Sequence, residues 1–380
     1  MANNPQSASQ TPASPKLKVL LFSMGSIGDA VMSIPAIICL KKWYGPNARF
    51  TVLIDRQQGP IVSAAEIIKA FDASMEFIEY PFTRNKKGRF KTALTLLSTL
   101  RQGYFDAVAY LAPAERLPQV IFRDLLFFKA TRIKTFLGFH AFSRKELYPL
   151  DGEGRPAAVP SEAWWRIERL RRGRLACDPS VALAPPFLIP GREETQRVQS
   201  WLAKRRADSK KPLIAIAPGA KQPANMWPQE RFIEVGRRLI QTKACEIVVI
   251  GGPAEKPIGE KCVSAWGTGL NAAGQFTVPE SLALIKECAF LIGLDTGTTH
   301  LAAASGVPCV AIYSDKDNPG RWSPLGDHHL ILRHRVPCGG CRLVANPCPV
   351  RGHPCIEGIS VDMVWGAIQE MLRRGVSPLA

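Results

Sequence analysis

The sequence predicts an α/β protein made of two doubly wound halves, each a parallel sheet covered on both faces by helices. Three observations carry that expectation. Short apolar runs alternate with helically spaced segments from Leu17 to Tyr313, the order that builds parallel sheets. A Pro-rich stretch, Val181 to Gly191, interrupts the alternation near the middle and reads as an interdomain linker. Each half also carries a Gly-bearing turn between an apolar strand and a helix.

In the first half the expected strands are Leu17–Phe22, Phe50–Ile54, Met75–Tyr80, Ala107–Leu111 and Ile133–Leu137. The helices between them are Ala30–Tyr44, Gly59–Ala70, Phe90–Arg101 and Leu117–Ala130. Beyond the linker, Leu213–Ala217 is a strand and a loop runs from Pro218 to Trp227. Pro228 then suits the first turn of a helix reaching Gln241. Ile247–Ile250 is a strand ending in Gly-Gly-Pro, a helix starts near Ala254, and Pro279–Cys288 is another. The expected organisation is a disordered leader over 1–15, a first domain over 16–180, a linker over 181–191 and a second domain over 192–380. Two such domains imply a cleft between them.

Composition narrows the class. With 46% hydrophobic and 21% charged residues, the chain is an ordinary globular protein, and no apolar run approaches the ~18 residues of a membrane span. The first residues, MANNPQSASQTPASP, lack the basic start and apolar core of a signal peptide, which points to a cytoplasmic protein. The net charge of +17 calls for an anionic partner: nucleic acid, an anionic membrane surface or a phosphorylated substrate. No helix-turn-helix, zinc-finger array or aromatic RNA platform supports nucleic acid. A nucleotide-dependent oxidoreductase is a further reading of paired doubly wound domains, but the first turn lacks a full G-x-G-x-x-G.

The most informative stretch is Asp295-Thr296-Gly297-Thr298-Thr299-His300, between the apolar run Ala289–Leu294 and an Ala-rich helix that stops at Gly306. A strand–turn–helix of this kind aims backbone N–H groups and the positive helix end at whatever sits above the sheet. The three threonines and His300 add donors, so the turn suits a phosphate or diphosphate. The competing reading is that Asp295 and the threonines merely cap the helix. Asp29, in the first half's Gly-Ser-Ile-Gly-Asp turn, is likewise open to two readings, helix cap or general base.

Taken together, Gly25-Ser26-Ile27-Gly28-Asp29-Ala30-Val31, the Pro218-Gly219-Ala220 to Trp227-Pro228 loop, Gly251-Gly252-Pro253 and the Asp295-to-Pro308 stretch resemble glycosyltransferase family 9, the family of ADP-heptose:lipopolysaccharide heptosyltransferases. The resemblance spans roughly Leu17 to Met371. It implies a GT-B fold of two facing Rossmann-like domains and an inverting, metal-independent transfer. The acceptor would sit in the first domain and the nucleotide-sugar donor in the second. By position it implies Asp29 as the base, and Asp295, Thr296, Gly297, Thr298, Thr299 and His300 around the donor diphosphate. Glu255 would meet the ribose and Phe276 the adenine. The family's lysine two residues before Trp-Pro is Asn225 here, and Lys221 is the candidate substitute.

The remaining calls rest on charge and cysteine spacing. Arg84, Lys86, Lys87 and Arg89 lie in an expected basic loop suited to an anionic acceptor, the phosphorylated lipopolysaccharide inner core. Trp164-Trp165-Arg166, continuing to Arg174, reads either as a solvated face or as an amphipathic surface meeting lipid at the inner membrane. Asp315-Lys316-Asp317 is read as turn chemistry rather than as a metal-binding carboxylate pair. Cys39, Cys177, Cys245, Cys262, Cys288 and Cys309 are expected as buried small hydrophobes, with disulfides disfavoured in a reducing cytoplasm. Cys338, Cys341, Cys348 and Cys355, with His353 nearby, have spacing compatible with a structural zinc. Another nucleotide sugar or another acceptor remains open.

Overall fold

A computed structural model describes residues 17–56, 64–81, 86–343, 348, 350 and 352–375. In the first half, β1 (Lys18–Phe22), α1 (Ile27–Tyr44), β2 (Arg49–Arg56), α2 (Ala64–Phe71), β3 (Glu76–Pro81), α3 (Lys86–Gly103), β4 (Ala107–Tyr110), α4 (Pro118–Lys129) and β5 (Thr135–Leu137) form a parallel sheet in the order β3-β2-β1-β4-β5. Alternate residues of β1 divide its two faces. Val19 and Leu21 join α1 and α2 in one core cluster, while Leu20 and Phe22 join Leu100, Ile121 and Phe128 of α3 and α4 in another. That is the face assignment right-handed crossovers require. Three helices follow, α5 (Arg144–Leu147), α6 (Glu162–Arg172) and α7 (Pro179–Ala182), with α6 packed along α1.

The second half runs α8 (Arg192–Ala203), β6 (Leu213–Ala217), α9 (Gln229–Gln241), β7 (Glu246–Val249), α10 (Lys256–Trp266), β8 (Leu270–Asn271), α11 (Val278–Lys286), β9 (Phe290–Leu294), α12 (Gly297–Ala304), β10 (Cys309–Tyr313), β11 (Leu330–Arg333), α13 (Pro354–Glu357) and α14 (Val361–Arg373). Its parallel sheet has the order β11-β10-β9-β6-β7-β8. β6, β9 and β10 are buried at every position, as central strands of a sheet covered on both faces must be. The expected doubly wound pair is therefore what the chain forms.

Several expectations need correction. The basic loop is a helix: α3 begins at Lys86, four residues before the expected start. Its first turn holds no acidic residue and several cations, the reverse of what a helix dipole favours, so the sequence signal pointed away from a helix. Arg84 lies outside the described residues. Pro228 is the N-cap of α9 rather than part of its first turn. Cys39 and Cys177 are bonded to each other across 138 residues of sequence, with Cα atoms 5.7 Å apart, a normal disulfide separation. The packing of α6 on α1 brings them together, which spacing alone cannot reveal. Cys245, Cys262, Cys288 and Cys309 are buried free thiols, as expected.

Most of the Trp164–Arg174 segment is buried or half-buried, with Arg171, Arg172 and Arg174 exposed at its end. Trp165, Arg166 and Arg169 of α6 are buried. Their charges are satisfied inside the protein, Arg169 by the carbonyls of Ala112, Pro113, Ala114 and His140. No helix among the described residues is long and apolar enough to cross a membrane.

Candidate functional site

Both sheets end their strands at one cleft of about 380 Å³. It is lined from the first half by Ser26, Ile27, Gly28, Asp29 and Glu115, and from the second by residues that include Asp295, Thr296, Gly297, His300, Lys316 and Trp322. Its floor is a close contact of two helix starts. A Cβ on Gly28 would lie 3.0 Å from the His300 ring, and one on Gly297 would lie 2.9 Å from Ile27. Only glycine permits α1 and α12 to approach this closely, and the positive ends of both helices converge on the cleft.

Asp29 sits at the third position of α1. Its Oδ2 accepts from the Ser26 N–H at 3.0 Å and from the Ser26 hydroxyl at 3.3 Å, so it does cap the helix. Gly25, at φ +109°, makes the tight turn, since a Cβ there would lie 2.3 Å from the Asp29 carboxylate. Asp29 is also held from behind. Arg166 donates to its Oδ1 at 3.0 Å and to its carbonyl at 2.6 Å. Arg166 is fully buried and is paired in turn with buried Glu162 at 3.3 Å. Glu162 accepts from the Ala114 N–H at 2.7 Å and from Arg321 of the second half at 2.8 Å. A chain of alternating charges thus runs from Asp29 into the opposite domain. Removing one member would leave a buried charge uncompensated, at a cost of about 3–5 kcal/mol.

The Asp295 turn is built differently. Asn225, itself buried, donates to the Asp295 carbonyl at 3.1 Å and to its Oδ2 at 3.2 Å, and accepts from the Ser314 hydroxyl at 3.0 Å. At the position of the family's lysine, then, Asn225 is the clamp of this turn. Among the described residues the Thr296 hydroxyl and His300 Nδ1 are buried without a hydrogen-bond partner, and the other His300 nitrogen lies 3.8 Å from Asp295. Two residues that line one cavity and carry buried, unpartnered polar atoms mark a place where a polar ligand would be held. Thr299 departs from expectation: it is fully buried and its hydroxyl donates inward to the Leu294 carbonyl at 2.6 Å. Helical rotation turns it toward the strand and away from the cleft, while Thr298 remains at the rim.

A side pocket of about 100 Å³ adjoins the turn, lined by residues that include Gly219, Lys221, Glu255, Thr296 and Thr298. Glu255 accepts from the Gly252 N–H there at 2.7 Å. Lys221 lines both cavities. Phe276 lines neither; it stacks edge-on against Trp201, ring centres 5.3 Å apart. Lys87 and Arg89 are exposed on α3, away from the cleft lining; of Lys86 the structure describes only the backbone.

The sequence reading passed over four residues that matter here. Arg166 lay in a stretch read as a solvated face or a lipid-meeting surface, and Glu162 stood in no motif. Arg321 had no motif. Lys316 was placed in a turn, yet it is buried at the cleft wall, donating to Gln222 at 2.8 Å and lying 3.2 Å from Asp317. Its neighbour Asp315 is buried, accepts from the Val336 N–H at 3.2 Å and lies 3.6 Å from Arg333, contacts across the fold rather than the local turn bonds expected. Burial raises the thiols of Cys338 and Cys355, and their cluster neighbours raise them further. Among the described residues no three His, Cys, Asp or Glu side chains form a group that could hold a metal ion, so the zinc expectation finds no ligand set there.

Residues 190–348 match the model of glycosyltransferase family 9 (heptosyltransferase). The chain is 27% identical over 334 residues to lipopolysaccharide heptosyltransferase 2 of Escherichia coli strain K12, covering 83% of this chain and 88% of that protein. It is 26% identical over 162 residues to lipooligosaccharide heptosyltransferase 2 of Haemophilus influenzae, spanning 41% of this chain and 46% of the relative. Among solved structures, a family 9 glycosyl transferase from Veillonella parvula superposes with a TM-score of 0.67 at 20% identity, covering 96% of this chain and 100% of the other. E. coli ADP-heptose lps heptosyltransferase II gives 0.64 at 19%, covering 95% and 100%. At these identities the superpositions speak to the fold, and the fold they give is GT-B.

Proposed function

We infer that this chain is a member of glycosyltransferase family 9, whose model matches residues 190–348, and that it transfers a heptose from ADP-heptose to the phosphorylated inner core of lipopolysaccharide. The observation that carries the reading is the pairing within one cleft of a held carboxylate from the first half, Asp29, with unpartnered donors from the second, Thr296 and His300.

In this reading the donor diphosphate lies against the start of α12. Backbone N–H groups there, the Thr296 hydroxyl and His300 meet its oxygens, and the helix end favours their charge. Lys316, with Lys221 at the rim, provides the cations that Asn225 does not. The acceptor hydroxyl attacks the anomeric carbon from the face opposite the diphosphate. Asp29 accepts its proton as the new C–O bond forms, and the old C–O electron pair leaves with the nucleoside diphosphate. The configuration at that carbon inverts. Arg166 fixes the carboxylate through Oδ1, and Oδ2, held by Ser26, would take the proton.

The test is transfer of heptose from ADP-heptose to lipopolysaccharide isolated without its heptoses, alongside a melting-temperature panel of nucleotide sugars. Ligand stabilisation grows with concentration over dissociation constant, so ADP-heptose should raise the melting temperature most and support transfer. A larger shift with another nucleotide sugar would reassign the donor. Transfer from none would reject the reading.

A further inference from the structure

The charge of the chain asks for an anionic partner, and burial of most of α6 removes much of the surface first expected to meet it. Another surface takes its place. α3 and α4 lie on the same face of the first sheet, and each leaves a phenylalanine and a leucine one turn apart in solvent. Phe90 and Leu94 of α3 are 68% and 51% exposed, and Phe122 and Leu126 of α4 are 61% and 50% exposed. Isolated exposed apolar residues need no explanation, but a cluster of this size marks an interaction surface.

The polar residues around the cluster are of one sign. From Thr83 to Phe105 the sequence contains no Asp or Glu, and Lys87, Arg89, Lys91 and Arg101 are exposed. On α4 the exposed cations are Arg123 and Lys129. The helix's one carboxylate, Asp124, is buried and already bonded to Tyr110, Arg116 and Arg123. Lys87 and Arg89 stand at the start of α3, near the positive end of the helix, where the dipole disfavours cations. A fold bears that cost where an external anion offsets it.

We propose that the exposed faces of α3 and α4 form a docking surface for an anionic lipid bilayer. Aromatic and leucine side chains would enter the headgroup boundary while the surrounding cations pair with lipid phosphates. Nucleic acid would reward the cations but not the four protruding apolar side chains. Both helices begin where β3 and β4 end, on the edge of the sheet that carries Asp29. In the transfer reading, a lipid-borne acceptor held there would lie on the domain that carries the base. The docking surface itself stands on the exposure and charge of the two helices.

The experiment is co-sedimentation of the full chain with vesicles of phosphatidylglycerol mixed with phosphatidylcholine, and of phosphatidylcholine alone. The expected result is binding to the anionic vesicles only, weakened by salt as surface charges are screened. Two variants, Phe90→Ser with Phe122→Ser and Lys91→Glu with Lys129→Glu, should each lower partitioning at least tenfold, while Trp43→Ser, exposed on α1, leaves it unchanged. ADP-heptose affinity, measured on the same preparations, separates loss of docking from loss of fold. Variants that bind vesicles like the parent would overturn the proposal. So would a parent that ignores anionic vesicles, or one that instead forms a dimer dissociated by the same substitutions. A parent chain that binds ADP-heptose but not anionic vesicles removes the docking surface and leaves the transferase reading; one that binds the vesicles but not ADP-heptose removes the transferase reading alone.

Discussion

The two halves present the same device to the cleft, a strand, a glycine turn and a helix start with an aspartate, and finish it in opposite ways. Around Asp29 the carboxylate is gripped by Ser26 and Arg166. Around Asp295 the backbone is clamped by Asn225, yet the Thr296 hydroxyl and His300 Nδ1 are buried and unpartnered. A saturated turn fixes the position of one group. An unsaturated turn carries a desolvation penalty until a ligand relieves it. In the proposed reading, that difference gives reaction to the first half and binding to the second.

The largest effect should come from the saturated turn. Asp29→Asn removes the proton acceptor, and transfer should fall by roughly 10²–10⁴-fold. The amide cannot serve Ser26 and Arg166 as the carboxylate does, so about 1.5–3 kcal/mol of stability should go with it. Transfer near the parent rate would reduce Asp29 to a helix cap.

Next is Arg166→Met, which leaves Asp29 in place without its support. Unfolding in urea should show a loss of about 3–5 kcal/mol, and any folded fraction should transfer slowly with unchanged donor affinity. Full stability would mean that the charge chain to Arg321 does not hold the base.

The unsaturated turn should respond with the other sign. Thr296→Val removes a buried hydroxyl that has no partner, so the free protein should be as stable as the parent or slightly more so. Donor affinity should drop by about 1.5–3 kcal/mol, the worth of a hydrogen bond to a charged oxygen. A marked loss of stability without donor would show that the hydroxyl is already satisfied. Lys316→Met should weaken donor binding roughly tenfold, at the low end of that range. Lys221→Met should do less, because an exposed charge is screened.

Acid should separate the halves most gently. His329 is pushed down to about 4 by burial; its Nδ1 accepts from the Cys309 N–H at 3.2 Å and its Nε2 faces the Leu325 carbonyl at 2.9 Å. Folding therefore favours the neutral ring. The stability this confers is present above an unfolded pKa of about 6.5 and is lost as pH falls toward about 4. The first half's own histidine, His140, is exposed. Hydrogen exchange across this range should rise first around β10 and β11, and His329→Gln should flatten the response.

How much of this was legible depended on where each signal lies. Leu213–Ala217 was read to the residue, because a strand buried on both faces is a continuous apolar run. Leu270–Asn271 and Leu330–Arg333 left no such mark, being short or half exposed. The cleft's turns were legible because strand, glycine and helix are contiguous. Arg166 was not: its partners are residues 29, 33, 162 and, through Glu162, 321, and only the fold brings them together. Alone in sequence, a buried arginine among tryptophans looks like a solvated one. Asn225 seemed a lost lysine because its partner, Asp295, lies 70 residues away.

The division of labour between the turns is tested most directly by calorimetric titration of ADP-heptose into two variants, Asp29→Asn and Thr296→Val with His300→Ala, each with its transfer rate. Asp29→Asn should bind the donor like the parent and transfer almost nothing, while the double variant should lose at least about tenfold in affinity. Parent-like affinity in the double variant, or lost affinity in Asp29→Asn, would contradict the assignment of binding to one turn and reaction to the other.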